Sequence, residues 1–192
     1  MTEALRTAVE AKQRSALLIW SCLIGAVIFY GVVPAMLLLT ELGAADPDQK
    51  ATLALLVPLF SVLGLASACL SIFISRYAYS ESGLLKVLSK DPATAGPAER
   101  RLSKADEKAV EGLSPDEGRL LAVAEYLRVR SILSTTICDS IAVFGLVLTL
   151  ISRTPEYSYI GAFVGVLVAL TVRPKLLEGV EQAELLQAKA PR

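Results

Sequence analysis

Residues Ser15–Leu39 read SALLIWSCLIGAVIFYGVVPAMLLL, 25 positions without one charged side chain. A helix rises about 1.5 Å per residue, so such a run is long enough to cross the roughly 30 Å of a bilayer's hydrocarbon core. Three more runs follow. The second, ATLALLVPLFSVLGLASACLSIFIS, covers Ala51–Ser75 and is also uncharged. The third, SILSTTICDSIAVFGLVLTLI, covers Ser131–Ile151 with Asp139 as its one charge. The fourth, YSYIGAFVGVLVALTV, covers Tyr157–Val172 and is shorter, with tyrosines where an interfacial belt would sit. These four runs lift the apolar fraction to 54% in a chain of 192 residues, above the 45–50% or so usual for a soluble domain. The expected fold is an all-α membrane protein with four transmembrane helices. The first run is too long for a signal-peptide core and no small-residue cleavage site follows it, so it reads as a retained helix.

Lysine and arginine set the orientation. Three precede the first run, ten lie between Arg76 and Arg130, and four follow the last run, whereas Lys50 and Arg153 are alone in the two remaining connections. Basic residues near span ends stay cytoplasmic. The helices are therefore expected as two hairpins, N-in/C-in, in the cell inner membrane. The zero net charge hides this asymmetry, and the inner segment balances its cations with acids, as in AERRLSKADEKAVE. That argues against a nucleic-acid partner. The expected partners are the lipid bilayer and either further copies of the chain or other membrane proteins.

The organisation follows. Residues 1–78 form the first hairpin with its N-terminal segment, 79–130 a cytoplasmic helical linker, 131–173 the second hairpin, and 174–192 a cytoplasmic tail. The second helix is expected to run on through RYAYSESGLLKVL and stop near Asp91-Pro92, because a residue before proline avoids helical geometry. Ser114-Pro115-Asp116-Glu117 is a capping box that starts a helix continuous with the third run. In the tail, LLEGVEQAELLQ is expected as a short interfacial helix weakened by Gly179.

The odd residue is Asp139. A carboxylate at helix-centre depth costs about 2.5–3.5 kcal/mol on insertion scales. As the ninth residue of its run it lies about 12 Å from the inner end, too deep for its short side chain to reach water. It must face the bundle interior, be protonated, or find donors, and acids so placed are functional candidates. Thr135 and Thr136 lie one turn back, and Ser61, Gly64, Ala68, Ser71 and Ser75 form a small, hydroxyl-rich stripe on the second helix. That stripe is expected to pack against the third helix, with Ser67, Ser71 or a nearby hydroxyl donating to Asp139. Gly161, Gly165 and Ala169, spaced by four, form a further close-packing face. The cysteines, Cys22, Cys69 and Cys138, all fall inside spans and read as small packing residues. The chain has no histidine, so imidazole ligation and His-based acid–base work are excluded.

Asp139-Ser140-Ile141-Ala142-Val143-Phe144-Gly145-Leu146-Val147 resembles the carboxylate helix of the rotor-ring proteolipid, subunit c of ATP synthases. The resemblance covers these nine residues and implies that Asp139 carries a proton or sodium ion, supported by Thr135, Thr136 and Ser140. The glycine-rich partner helix and the short polar loop of that family are absent here. No nucleophile–base pair, phosphate loop or metal cluster is legible, so no catalytic residue, cofactor or metal is expected. The expectation is a non-catalytic accessory or scaffold protein, with proton or cation translocation through Asp139 as the alternative.

Overall fold

A computed structural model describes residues 1–41, 49–89 and 114–189. Among these, every regular element is helical: α1 (Glu3–Glu41), α2 (Gln49–Ala78), α3 (Glu81–Leu88), α4 (Pro115–Ser152), α5 (Glu156–Thr171) and α6 (Leu176–Lys189). Four stretches are long and apolar enough to cross a membrane: Glu3–Pro34, Thr52–Ala78, Pro115–Ser152 and Glu156–Lys189. At 1.5 Å per residue, the 38-residue α4 is about 57 Å long, nearly twice a hydrocarbon core.

The excess length is used. The chain divides into two compact units, one of residues 1–18, 74–132 and 174–192, the other of residues 19–73 and 133–173. The first joins three segments that are far apart in sequence. Its core comprises Leu5, Val9 and Ala16 of α1, Ala78, Leu84 of α3, Leu121, Val123, Ala124 and Leu127 of α4, and Leu176, Val180 and Ala183 of α6, all buried. On α1 the buried positions Leu5, Val9, Lys12 and Ala16 recur every three or four residues, as one helical face requires.

The capping box forms. The Ser114 backbone N–H donates to Glu117 Oε2 (3.0 Å) and the Glu117 N–H to Ser114 Oγ (3.3 Å), and α4 begins at Pro115. The second helix does not run on as expected: α2 ends at Ala78 and α3 starts anew at Glu81. Ser80 is the reason. Its backbone is extended (φ −76°, ψ 154°), its hydroxyl accepts from the Gly83 N–H (3.2 Å) and donates to the Tyr77 carbonyl (2.7 Å). Such a side chain satisfies a helix start better than a helix interior. The expected stop at Asp91-Pro92 lies outside the described residues.

The tail helix α6 turns its apolar face into the core of this unit. At Gly179 the missing side chain makes room for Leu127 and the Tyr79 ring, which a methyl there would strike. The start of α6 is held by side chains from elsewhere in the unit: Lys175 N–H, just before the helix, donates to Tyr79 Oη in the turn between α2 and α3 (2.9 Å), and Leu177 N–H to Gln13 Oε1 of α1 (3.0 Å).

In the second unit, contacts between α1 and α5, between α2 and α4 and between α4 and α5 run in descending order, so each of these three pairs is antiparallel. Between α1 and α5, Gly31 meets Ala162, Val27 meets Gly165, and Trp20 Nε1 donates to the Ala169 carbonyl (3.0 Å). Between α2 and α4, Phe60 stacks on Phe144 at 5.4 Å and Gly64 faces Ile141. The α4–α5 crossing is close. A methyl built on Gly145 would stand 2.5 Å from the Tyr157 carbonyl oxygen and 3.0 Å from Gly161 Cα. Ser152–Pro155 joins the two helices through Arg153, whose φ of 57° ends α4 in the left-handed conformation. Thr149 of α4 then caps α5 by accepting from the Ser158 N–H (2.8 Å). Large apolar side chains are exposed on these helices, among them Leu55, Val62, Leu65 and Phe73 of α2 and Ile160, Phe163 and Leu170 of α5. Acyl chains solvate such side chains without penalty, whereas water would not.

Candidate functional site around Asp139

Helix α4 buries a stripe of small and hydroxyl residues: Ser131, Ser134, Thr135, Cys138, Ala142, Gly145 and Thr149. Asp139 sits one residue round from Cys138 and is half-buried, at the margin of that stripe. Its Oδ1 is out of contact with solvent and has no hydrogen-bond partner.

The hydroxyls expected to donate to it are engaged elsewhere. Ser71 Oγ donates to the Ser134 carbonyl (2.9 Å), and Ser134 Oγ donates back to the Ser71 carbonyl (2.7 Å). With each hydroxyl proton spent, the Cys138 thiol at 2.9 Å is left as donor to Ser71 Oγ. This reciprocal pair ties α2 to α4 with every polar atom satisfied, which is the condition for burying hydroxyls in an apolar bundle. Ser67 Oγ accepts from Ser140 Oγ (3.2 Å), which also donates to the Ile137 carbonyl (2.6 Å). Thr135 is buried and Thr136 exposed, and both are engaged in further interactions. The stripe on α2 thus meets α4 as a neighbour but serves Ser134, Cys138 and Ser140 in place of the carboxylate.

The other packing positions divide the same way. Gly161 and Gly165 are buried against α4, where a methyl on Gly165 would lie 3.2 Å from Val27 and 3.7 Å from the Cys138 carbonyl. Ala169 is buried and receives the Trp20 indole at its carbonyl, and Ala68 is half-buried on α2. Among the described residues, no group of three or more His, Cys, Asp or Glu side chains is placed to hold a metal ion.

A second polar cluster escaped the sequence reading. In the other unit Lys12, 5% exposed, pairs with Glu125 at 2.9 Å. Arg128 approaches the same carboxylate at 3.5 Å and donates to Ser15 Oγ at 3.3 Å, while its Nε is buried without a partner. The signal was there: Lys12 occupies a core position in the Leu5–Val9–Lys12–Ala16 series, where a charge must be paired.

The chain matches no protein-family model, no curated protein and no solved structure.

Proposed function

We propose that this is a non-catalytic accessory or scaffold protein of the cell inner membrane, threaded with both chain ends in the cytoplasm. The apolar unit anchors it, and the unit built from the N-terminal segment, residues 74–89 and 114–132, and the tail through Lys189 presents a contact surface. The observation that carries the reading is the separate core of that unit, with its buried Lys12–Glu125 pair. A mere linker between spans needs neither. Because it is folded, such a surface meets a partner with little ordering entropy to lose.

Cross-linking in native membranes followed by mass spectrometry tests this. Amine-reactive cross-links from Lys86, Lys175 or Lys189 to a second copy or to another membrane protein are expected. Recovery of intramolecular links alone sinks the proposal.

The unpartnered Oδ1 of Asp139 favours a second reading, in which the carboxylate carries protons or cations across the bilayer. Reconstituted protein should then move protons in a pH-dye assay and Asp139→Asn should not. Equal dye responses from both proteins, or none from either, would remove this reading.

A further inference from the structure

Each apolar run carries an arginine immediately beside the end expected to face the cytoplasm. Arg14 precedes Ser15, Arg76 follows Ser75, Arg130 precedes Ser131 and Arg173 follows Val172. The opposite ends follow no such rule, being flanked by Thr40, Lys50, Ser152 and Glu156. Orientation alone asks only for basic residues somewhere within about 15–20 positions of a span, lysine serving as well as arginine. Four immediate neighbours of one type are a narrower pattern.

None of the four is paired with a carboxylate among the described residues. The ion pairs found there include those of the Met1 ammonium, Arg6, Lys12, Arg119, Arg128 and Lys175, with Glu10, Glu125, Glu178 and Glu184 among the acids used up. Arg14, Arg76, Arg130 and Arg173 take part in none of these pairs. Arg14, Arg76 and Arg173 are exposed. Arg130 and Arg173 lie over aromatic rings, Tyr126 at 5.4 Å and Trp20 at 6.0 Å. A ring beneath a guanidinium orients the plane and leaves its N–H edge available.

We propose that these four arginines bind the phosphates of anionic phospholipid headgroups in the cytoplasmic leaflet. The guanidinium fork matches a phosphate's paired oxygens. The choice of anionic over zwitterionic lipid follows from charge: four cations without a carboxylate partner among the described residues attract a headgroup of net negative charge more strongly than a choline phosphate, which brings its own cation.

Trp20 is the chain's one tryptophan, which makes the test direct. The full-length protein is reconstituted in phosphatidylcholine vesicles containing phosphatidylglycerol, with bromine on the acyl chains of one lipid or the other. Brominated phosphatidylglycerol should quench Trp20 beyond its share of the lipid. R14Q/R173Q should lose that preference by about fivefold for each arginine removed. The control R6Q/R119Q, which removes two carboxylate-paired arginines, should keep it. Quenching in simple proportion to composition overturns the inference while still placing Trp20 in the bilayer. Absence of quenching by either lipid overturns the membrane reading as well. Equal loss in the control shows a diffuse net-charge effect, and loss on adding inorganic phosphate shows a site for the free ion; either result refutes headgroup binding.

Discussion

Lys12 Nζ and Glu125 Oε2 stand 2.9 Å apart although 113 residues separate them in the chain. One carboxylate serves two cations here, since Arg128 reaches it as well. Glu125→Leu should therefore be costly. Breaking a buried pair from one side costs about 3–5 kcal/mol, and the partial exposure of Glu125 places this case near the lower figure. Lys12→Met combined with Glu125→Leu should recover the part of the loss that comes from stranding Lys12, while Arg128 still lacks its carboxylate. Hydrogen exchange over residues 1–18 and 115–132 reads both, and equal protection in the single and double variants would show that the pair is uncoupled.

Gly145 offers a test of the second unit. Its methyl would strike the Tyr157 carbonyl, so Gly145→Ala must push α4 and α5 apart. Overpacking of this kind costs about 1–3 kcal/mol. Gly25, with nothing within 4 Å of an added methyl, is the matched control. Gly25→Ala should be neutral or stabilise by about 0.5–1 kcal/mol, as the better helix former. In a C22S/C69S background the buried Cys138 reports the difference: maleimide labelling should accelerate in Gly145→Ala and stay unchanged in Gly25→Ala.

The four apolar helices were legible because membrane spanning is a one-dimensional property, a matter of uninterrupted length. The core of the other unit was not. Leu5 and Val9 meet Leu127 and Val180 only after folding, and each segment's apolar stripe is short enough to pass for an ordinary surface helix. The break at Tyr79-Ser80 was hidden because RYAYSESGLLKVL has no proline or glycine where the helix stops; only the Ser80 cap reveals it. Asp139 was legible as an anomaly, but its neighbours were not. Helical spacing identified the stripe on α2 without saying that Ser71 would satisfy Ser134 and Cys138 first.

Asp139 itself should tolerate, and even benefit from, loss of its charge as far as stability is concerned. Oδ1 makes no hydrogen bond, so Asp139→Asn has none to lose at that atom. Asp139→Leu removes a buried unsatisfied oxygen altogether and should stabilise by about 1–3 kcal/mol. Thermal unfolding in detergent checks both. A loss of more than about 1 kcal/mol in Asp139→Asn would mean that the carboxylate holds the bundle through a bond this structure lacks.

The last expectation concerns acid. Thr2 donates its hydroxyl to the exposed Glu117 carboxylate, and this bond, ahead of the Ser114 backbone N–H, holds the Glu117 pKa below the ordinary glutamate value. A carboxyl whose pKa falls on folding favours the folded form fully above its unfolded pKa, about 4.3, and loses that contribution as pH drops through the lower folded value. The capping box and the Thr2 contact should therefore hold at neutral pH and release together below about pH 4. Amide exchange at Glu117 and Gly118, corrected for intrinsic pH dependence, should rise over that interval. Glu117→Gln should remove the step, because its amide accepts from Ser114 and Thr2 without titrating. A step that persists in Glu117→Gln would assign the transition to another acid.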